Sequence, residues 1–373
     1  MKYLLCIGFY LFCCSGTAFA NSMLLQFQDV DETYSFEDGL QGWTVRGMQI
    51  NPNLPPPITQ TQSLARDGSS SLKFAVNRDV FFDPIWIEKP VSLEANQTYI
   101  VNIDFSFATQ DFGDANAFII LANPLRMPFN KIQDVVPAFQ DFSANYENRD
   151  VGYKWLEKHY DFMVRTNEEG KLYIIVGIYG GYDVRRSYYI DNVRLKIYKK
   201  EVQPEFYSFE DDLQGWEIGG TDLQYNGSTV DWSIIRNMAY RAFDGSYSMR
   251  FDLTSLNEKA MIWMVKPITV DPRSVYKITV DYMFAPQLNG YRRNSQIFTT
   301  VLRNRPETAD DLAASRIEDA ERGSFTAWLH KVYSFKVKTK KSETIYIVIG
   351  VLGNEASRLI YSFDNVFFTV EKR

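Results

Sequence analysis

The chain has 373 residues, with 46 acidic against 40 basic side chains and a net charge of −6. A net negative chain lacks the cationic surface that binding to a phosphate backbone requires, which excludes nucleic acid as the expected partner. Aromatic residues make up 15% of the chain, and its three cysteines, Cys6, Cys13 and Cys14, all fall at the N-terminal end, which excludes a disulfide scaffold for the remainder.

Residues 1–20 read as a secretory signal peptide: Lys2, an apolar run from Tyr3 to Cys14, then small residues ending in Ala18-Phe19-Ala20. The apolar run is shorter than the roughly 20 residues of a membrane span, so no membrane insertion is expected. Cys13 follows Phe12 and not a small residue, which argues against a lipid anchor. The expected location is outside the cytoplasm: secreted, periplasmic or at the cell surface.

The segment Tyr34-Ser35-Phe36-Glu37-Asp38-Gly39-Leu40-Gln41-Gly42-Trp43 returns as Tyr207-Ser208-Phe209-Glu210-Asp211-Asp212-Leu213-Gln214-Gly215-Trp216. Asp67-Gly68-Ser69 returns as Asp244-Gly245-Ser246, Trp86 and Tyr99 as Trp263 and Tyr276, and Asp191-Asn192-Val193 as Asp364-Asn365-Val366. A period of this length is a duplicated domain and not a solenoid unit of 20–50 residues. The expected domains are 31–200 and 204–373, each folding separately and joined at a short polar stretch ending in Pro204.

Each copy alternates with period two. Tyr99, Val101, Ile103, Phe105 and Phe107 share one face, as do Tyr276, Ile278, Val280, Tyr282 and Phe284. The apolar runs from Leu172 to Ile178 and from Ile345 to Val351 read as strands buried on both faces. Many strands separated by turns imply an all-β chain of two tandem β-sandwiches. The best helix signal runs from Pro306 to Arg322, rich in Glu, Asp and Ala, and predicts a short helix in a loop insertion of the second copy.

The Phe-Glu-Asp-Gly opening with its Gly-Trp, the Asp-Gly-Ser turn, the Asn96-Gln97-Thr98-Tyr99 approach to a long strand and the closing Tyr189-Ile190-Asp191-Asn192-Val193 together resemble a known family. They resemble the jelly-roll carbohydrate-binding modules of families 4, 9 and 22, among the galactose-binding-domain-like sandwiches, over nearly all of both copies. The resemblance implies a jelly roll and a structural calcium, with Glu37 and Asp191 matching its acidic positions in the first copy and Glu210 and Asp364 in the second. Calcium accepts six to eight oxygen ligands, whereas the same side chains can equally cap turns or accept backbone hydrogen bonds.

A pyranose presents an apolar face and a hydroxyl rim, so a sugar site needs a flat aromatic ring beside planar hydrogen-bonding groups. The residues expected to supply them are Trp86, Tyr179, Tyr182 and Arg185 in the first copy, and Trp263 and Trp232 in the second. Trp43 and Trp216, inside the opening motif, are expected in the core.

After the leader, the histidines are His159 and His330, which do not fall at matching positions of the repeat. No nucleophile elbow, zinc-binding helix or phosphate loop is present. A non-enzymatic protein binding a polysaccharide or other glycan is therefore expected. The alternative is a surface or matrix protein whose sandwiches contact other extracellular proteins. If both copies bound one polymer, tethering would strengthen binding by about 10² to 10⁴.

Overall fold

A computed structural model describes residues 30–48, 55–76, 84–110, 118–128, 139–143, 152–180, 186–225, 228–237, 242–254, 259–286, 296–313, 315–319, 328–341, 344–353 and 358–373. The expected leader, Tyr182 and Arg185 lie outside these residues.

The first copy contains β1 (Val30–Tyr34), β2 (Thr44–Gly47), β3 (Ile58–Thr61), β4 (Ser71–Val76), β5 (Ile85–Ser92), β6 (Thr98–Thr109), β7 (Ile119–Leu125), β8 (Phe139–Phe142), β9 (Lys154–Arg165), β10 (Lys171–Tyr179) and β11 (Arg186–Lys199). They make a six-stranded sheet, β3-β4-β11-β6-β9 with β1 also on β11, and a five-stranded sheet, β2-β5-β10-β7-β8. From β4 to β7, and again from β9 to β11, consecutive strands alternate between the sheets, which is jelly-roll winding.

The second copy contains β12 (Glu205–Tyr207), β13 (Glu217–Thr221), β14 (Gln224–Tyr225), β15 (Ser228–Thr229), β16 (Asp231–Asn237), β17 (Ser248–Thr254), β18 (Met261–Thr269), β19 (Val275–Pro286), β20 (Gln296–Leu302), β21 (Arg316–Asp319), β22 (Leu329–Lys338), β23 (Thr344–Leu352) and β24 (Arg358–Lys372). Its sheets run β16-β17-β24-β19-β22, with β12 on β24, and β13-β18-β23-β20-β21. The duplication read from sequence thus extends to strand order.

The alternating residues of β6 meet Ile174, Val176 and Ile178 of β10 between the two sheets. Each such aliphatic or aromatic side chain contributes about 1.5–3 kcal/mol by leaving water. The second core is built the same way from β19 and β23.

The recurring opening motif is a structural turn. Phe36 and Phe209 are fully buried in left-handed backbone, at φ 56° and 58°. Each gives its N–H to the Oε1 of Gln41 or Gln214 at 2.9 Å, and each turn ends on a buried Trp43 or Trp216.

The closing Asp-Asn motif is a bulge. β11 pairs with β4 through its first half and with β1 through its second, and the register against β6 shifts between Asp191 and Arg194. Asn192, at φ 50°, makes that step, as Asn365, at φ 44°, does in β24.

Within the Pro306 to Arg322 segment the described residues form a short 3₁₀ helix, Asp310–Leu312, shorter than the composition suggested, followed by strand β21. Two long-range effects override helix propensity here: β21 pairs with β20, and Leu312 is buried against the second copy's five-stranded sheet.

Candidate functional site

Alternation fixes what the outer face of the first five-stranded sheet carries. Val45, Ile85, Ile87, Ile120, Ala122, Ile174, Val176 and Ile178 turn into the core, so Arg46, Trp86, Glu88, Leu121, Tyr173, Ile175 and Tyr179 turn outward. The register sets Arg46 opposite Trp86, Trp86 opposite Gly177, and Glu88 opposite Ile175.

Trp86 forms the floor of this face, buried with Leu121, Leu125 and Ile175, and Tyr173 and Tyr179 pack partly exposed against that cluster. At the β2 edge Arg46 Nε donates to Glu88 Oε1 at 3.3 Å; the Arg46 side chain is 53% exposed and that of Glu88 only 4%. The same face therefore carries two partly exposed rings, a buried acceptor and an exposed guanidinium.

Trp86 reaches the floor because Gly177 leaves room for it. A Cβ on Gly177 would lie 2.3 Å from the Ile85 carbonyl oxygen and 2.5 Å from Trp86 Cβ. The first of these is backbone held in a ladder, so Gly177→Ala is expected to cost about 1–3 kcal/mol. Urea denaturation should show a lower midpoint at unchanged slope, and an unmoved midpoint would mean that the two strands separate easily.

The matching face of the second copy is closed. Trp263 and Phe298 occupy the places of Trp86 and Leu121, but Gly219 stands where Arg46 does and Val265 where Glu88 does. The Trp263 ring lies against Gly219, where a Cβ would come within 2.8 Å of ring atoms. Leu312, fully buried, covers the cluster of Trp263, Val265, Phe298 and Val348.

Among the residues expected to bind sugar, Trp86 and Trp263 are each 3% exposed and do not present an open ring face. Trp232 is partly buried against the second core, at the edge strand β16. Tyr179 lies on the outer face of the first copy, at its rim. Sequence reasoning missed Arg46, Glu88 and Tyr173. The available signal was their phase: Arg46 and Glu88 interrupt alternating apolar strands on the side that Trp86 occupies.

The four carboxylates matched to calcium hold loops. Asp191 Oδ2 accepts the N–H groups of Arg66 and Asp67 at 2.8 and 3.3 Å, and its Oδ1 accepts that of Asn192 at 2.7 Å. Asp364 does the same for Phe243, Asp244 and Asn365. Glu37 accepts from Ser69 and Ser70, and Glu210 from Ser246 and Tyr247.

Burial pushes Asp191 above the usual carboxylate range and Asp364 well above it, the latter with help from the nearby Asp244. Glu210 is likewise raised by burial, whereas the Ser69 hydroxyl and the Ser70 N–H hold Glu37 down. Among the described residues no three carboxylate, histidine or cysteine side chains are grouped to hold a metal ion. In this arrangement their oxygens are directed at backbone N–H donors and fasten turns.

No family model matches the chain, and no curated protein does. Among solved structures it is similar to the N-terminal CBM22-1–CBM22-2 tandem domain of Xyn10C from Paenibacillus barcinonensis, at 13% identity and TM-score 0.31, covering 91% of this chain and 98% of that one. It is also similar to TmCBM61, solved in complex with β-1,4-galactotriose, at 17% identity and TM-score 0.26, covering 44% of this chain and 94% of that one. A third likeness is to the K1 cleaved adhesin domain of Lys-gingipain from Porphyromonas gingivalis, at 14% identity and TM-score 0.30, covering 44% and 97%. At such identities and TM-scores, any function rests on the chain's own residues.

Proposed function

We propose that this is an exported, non-catalytic protein that binds a polysaccharide, and that the sugar lies on the outer face of the first copy's five-stranded sheet. The observation that carries this reading is that Tyr173 and Tyr179, six residues apart along β10, flank the Trp86 cluster on the sheet face that also carries the Arg46–Glu88 pair. Partly exposed tyrosines suit the apolar faces of successive pyranoses, while a buried carboxylate and an exposed guanidinium suit their hydroxyl rims. Glu88, engaged by Arg46, is placed to accept hydroxyl hydrogen bonds. The leader-like first twenty residues support export.

Among the described residues the second copy repeats neither polar group, since the Arg46 and Glu88 positions are Gly219 and Val265, and Leu312 is buried with Trp263 and Val265. One glycan site per chain is expected, without the gain that two linked sites would give.

The test is titration of the full chain with a panel of soluble polysaccharides, alongside Tyr173→Ala, Arg46→Ala and, in the second copy, Tyr346→Ala. Binding to one polymer should weaken about tenfold or more in the first two variants, equivalent to about 1.4 kcal/mol. Tyr346→Ala should bind as the parent does. Silence across the panel, or binding indifferent to Tyr173 and Arg46, would sink this reading. Burial of Trp86 and Trp263 favours the second reading, contact with other extracellular proteins, and silence would move the weight there.

A further inference from the structure

The two copies also differ on the outer face of the six-stranded sheet near its bulge. In the first copy three places on this surface are polar: Arg66 Nε donates to Glu157 Oε1 at 3.1 Å, and Ser106 Oγ donates to Glu157 Oε2 at 2.8 Å. In the second copy the same three places hold Phe243, Met283 and His330. The correspondence is fixed by structure, since Arg66 and Phe243 both give their N–H to the bulge aspartate, and Ser106 faces Glu157 across the ladder as Met283 faces His330.

Phe243 and Met283 are buried together with Ala285 and Trp328, and Phe243 stands edge-on to Trp328 with ring centroids 5.7 Å apart. Met283 and Ala285 point away from the second core, which takes their neighbours Tyr282 and Phe284. All four belong instead to the buried cluster that contains the first copy's core.

Polar contacts run along the same boundary. Arg126 Nη1, just past β7, meets Asp244 Oδ2 at 3.3 Å, and both side chains are largely buried. The guanidinium groups of Arg126 and Arg165 lie 5.6 and 5.8 Å from the ring centre of Phe206, where β12 begins the second copy. Gln203 of the linker accepts the Thr98 N–H at 2.7 Å and donates to the Lys200 carbonyl at 2.6 Å.

We infer that this apolar face of the second copy is a docking surface whose partner is the first copy, and that it makes the tandem one rigid unit. The second sandwich braces the first instead of repeating its task. At these four places the first copy carries Arg66, Ser106, Ala108 and Trp155, so Phe243 and Met283 are what make the second copy's face continuously apolar, and a face of that kind is stable only when covered. Arg126 directly follows Leu125, part of the cluster under the proposed sugar face, so the brace grips one end of that sheet. The inference stands whether or not the face binds sugar.

The test converts the docking face to the residues that the first copy carries at the same places, in the full chain: Phe243→Arg, Met283→Ser and the two combined. Because the first copy folds with arginine and serine there, the second sandwich should keep its far-ultraviolet circular dichroism. The parent should unfold in a single calorimetric transition and give a compact scattering profile. The double variant should show two separated transitions and a larger maximum dimension in small-angle X-ray scattering. Two independent transitions already in the parent, or a double variant as compact and as cooperative as the parent, would overturn the inference. A variant that loses its circular dichroism would overturn it too, because the face would then belong to the second copy's own fold.

Discussion

Replacing Asp364 with alanine is expected to destabilise the second copy by about 3 kcal/mol, since each buried donor left without a partner costs about 1–3 kcal/mol. The carboxylate is fully buried, and its oxygens accept three backbone N–H groups, those of Phe243, Asp244 and Asn365, at 2.7, 3.2 and 2.7 Å. Two of those donors belong to the turn that leads into β17, and the third sits at the bulge of β24, so the side chain fastens turn to bulge. Removing it also relieves an unfavourable burial and the nearness of Asp244, which keeps the loss below the sum of three bonds. For two copies that unfold as one unit, about 3 kcal/mol corresponds to a melting temperature lower by roughly 4 °C, measured by circular dichroism. Asp364→Asn keeps one acceptor oxygen and should lose less. Asp191→Ala should cost the first copy a similar amount, because it makes the same three bonds. A shift of only a degree or so in both alanine variants would show that these turns hold without the aspartates.

Thermal stability should rise as pH falls from about 8 to about 5.5. His159 and His330 both titrate above the ordinary histidine value. Asp104 and Asp161 raise the first, and for the second the contact with Asp281, aided by Asp161, outweighs the opposing effect of burial. A group that holds its proton more tightly when folded gives stability fully present below its unfolded pKa and lost as pH climbs through the folded one.

The buried carboxyls act in the same sense. Asp191, Glu210, Asp244, Asp281 and Asp364 are all raised, burial being the largest cause in each, so the native state binds protons that the unfolded chain releases. Further acidification reverses the trend, because Asp31, Glu37, Asp271 and Asp311 lie below the usual range when folded, and their contribution fades as they protonate. Melting curves at half-unit pH steps test this, with His330→Gln expected to flatten the arm between pH 6 and 8. A melting temperature that is level, or that falls, between pH 8 and 5.5 would contradict it.

Some residues nominated from sequence kept their place on the sheet but not the role expected of them. Trp86 was legible as part of an alternating strand, and period two does assign it to the face opposite Ile85 and Ile87. Its exposure was not legible, because that depends on β7 and β10, which bring Leu121, Leu125 and Ile175 around the ring from far along the chain. The Arg46–Glu88 contact spans 42 positions, and nothing local to either residue announces it.

By itself the sequence determined the duplication, the all-β class and the buried turns of the opening motif. Those follow from short-range causes: side-chain alternation, turn residues, and repetition visible position by position. Tertiary structure alone decided which sheet face stays open, that the helix in the Pro306 to Arg322 segment stops at Leu312, buried, with β21 pairing after it, and that Phe243 and Met283 turn outward to cover the first copy. Each of these depends on what lies opposite a residue across a sheet or a domain boundary, and local periodicity, which gives a strand two faces, does not say what will cover either one.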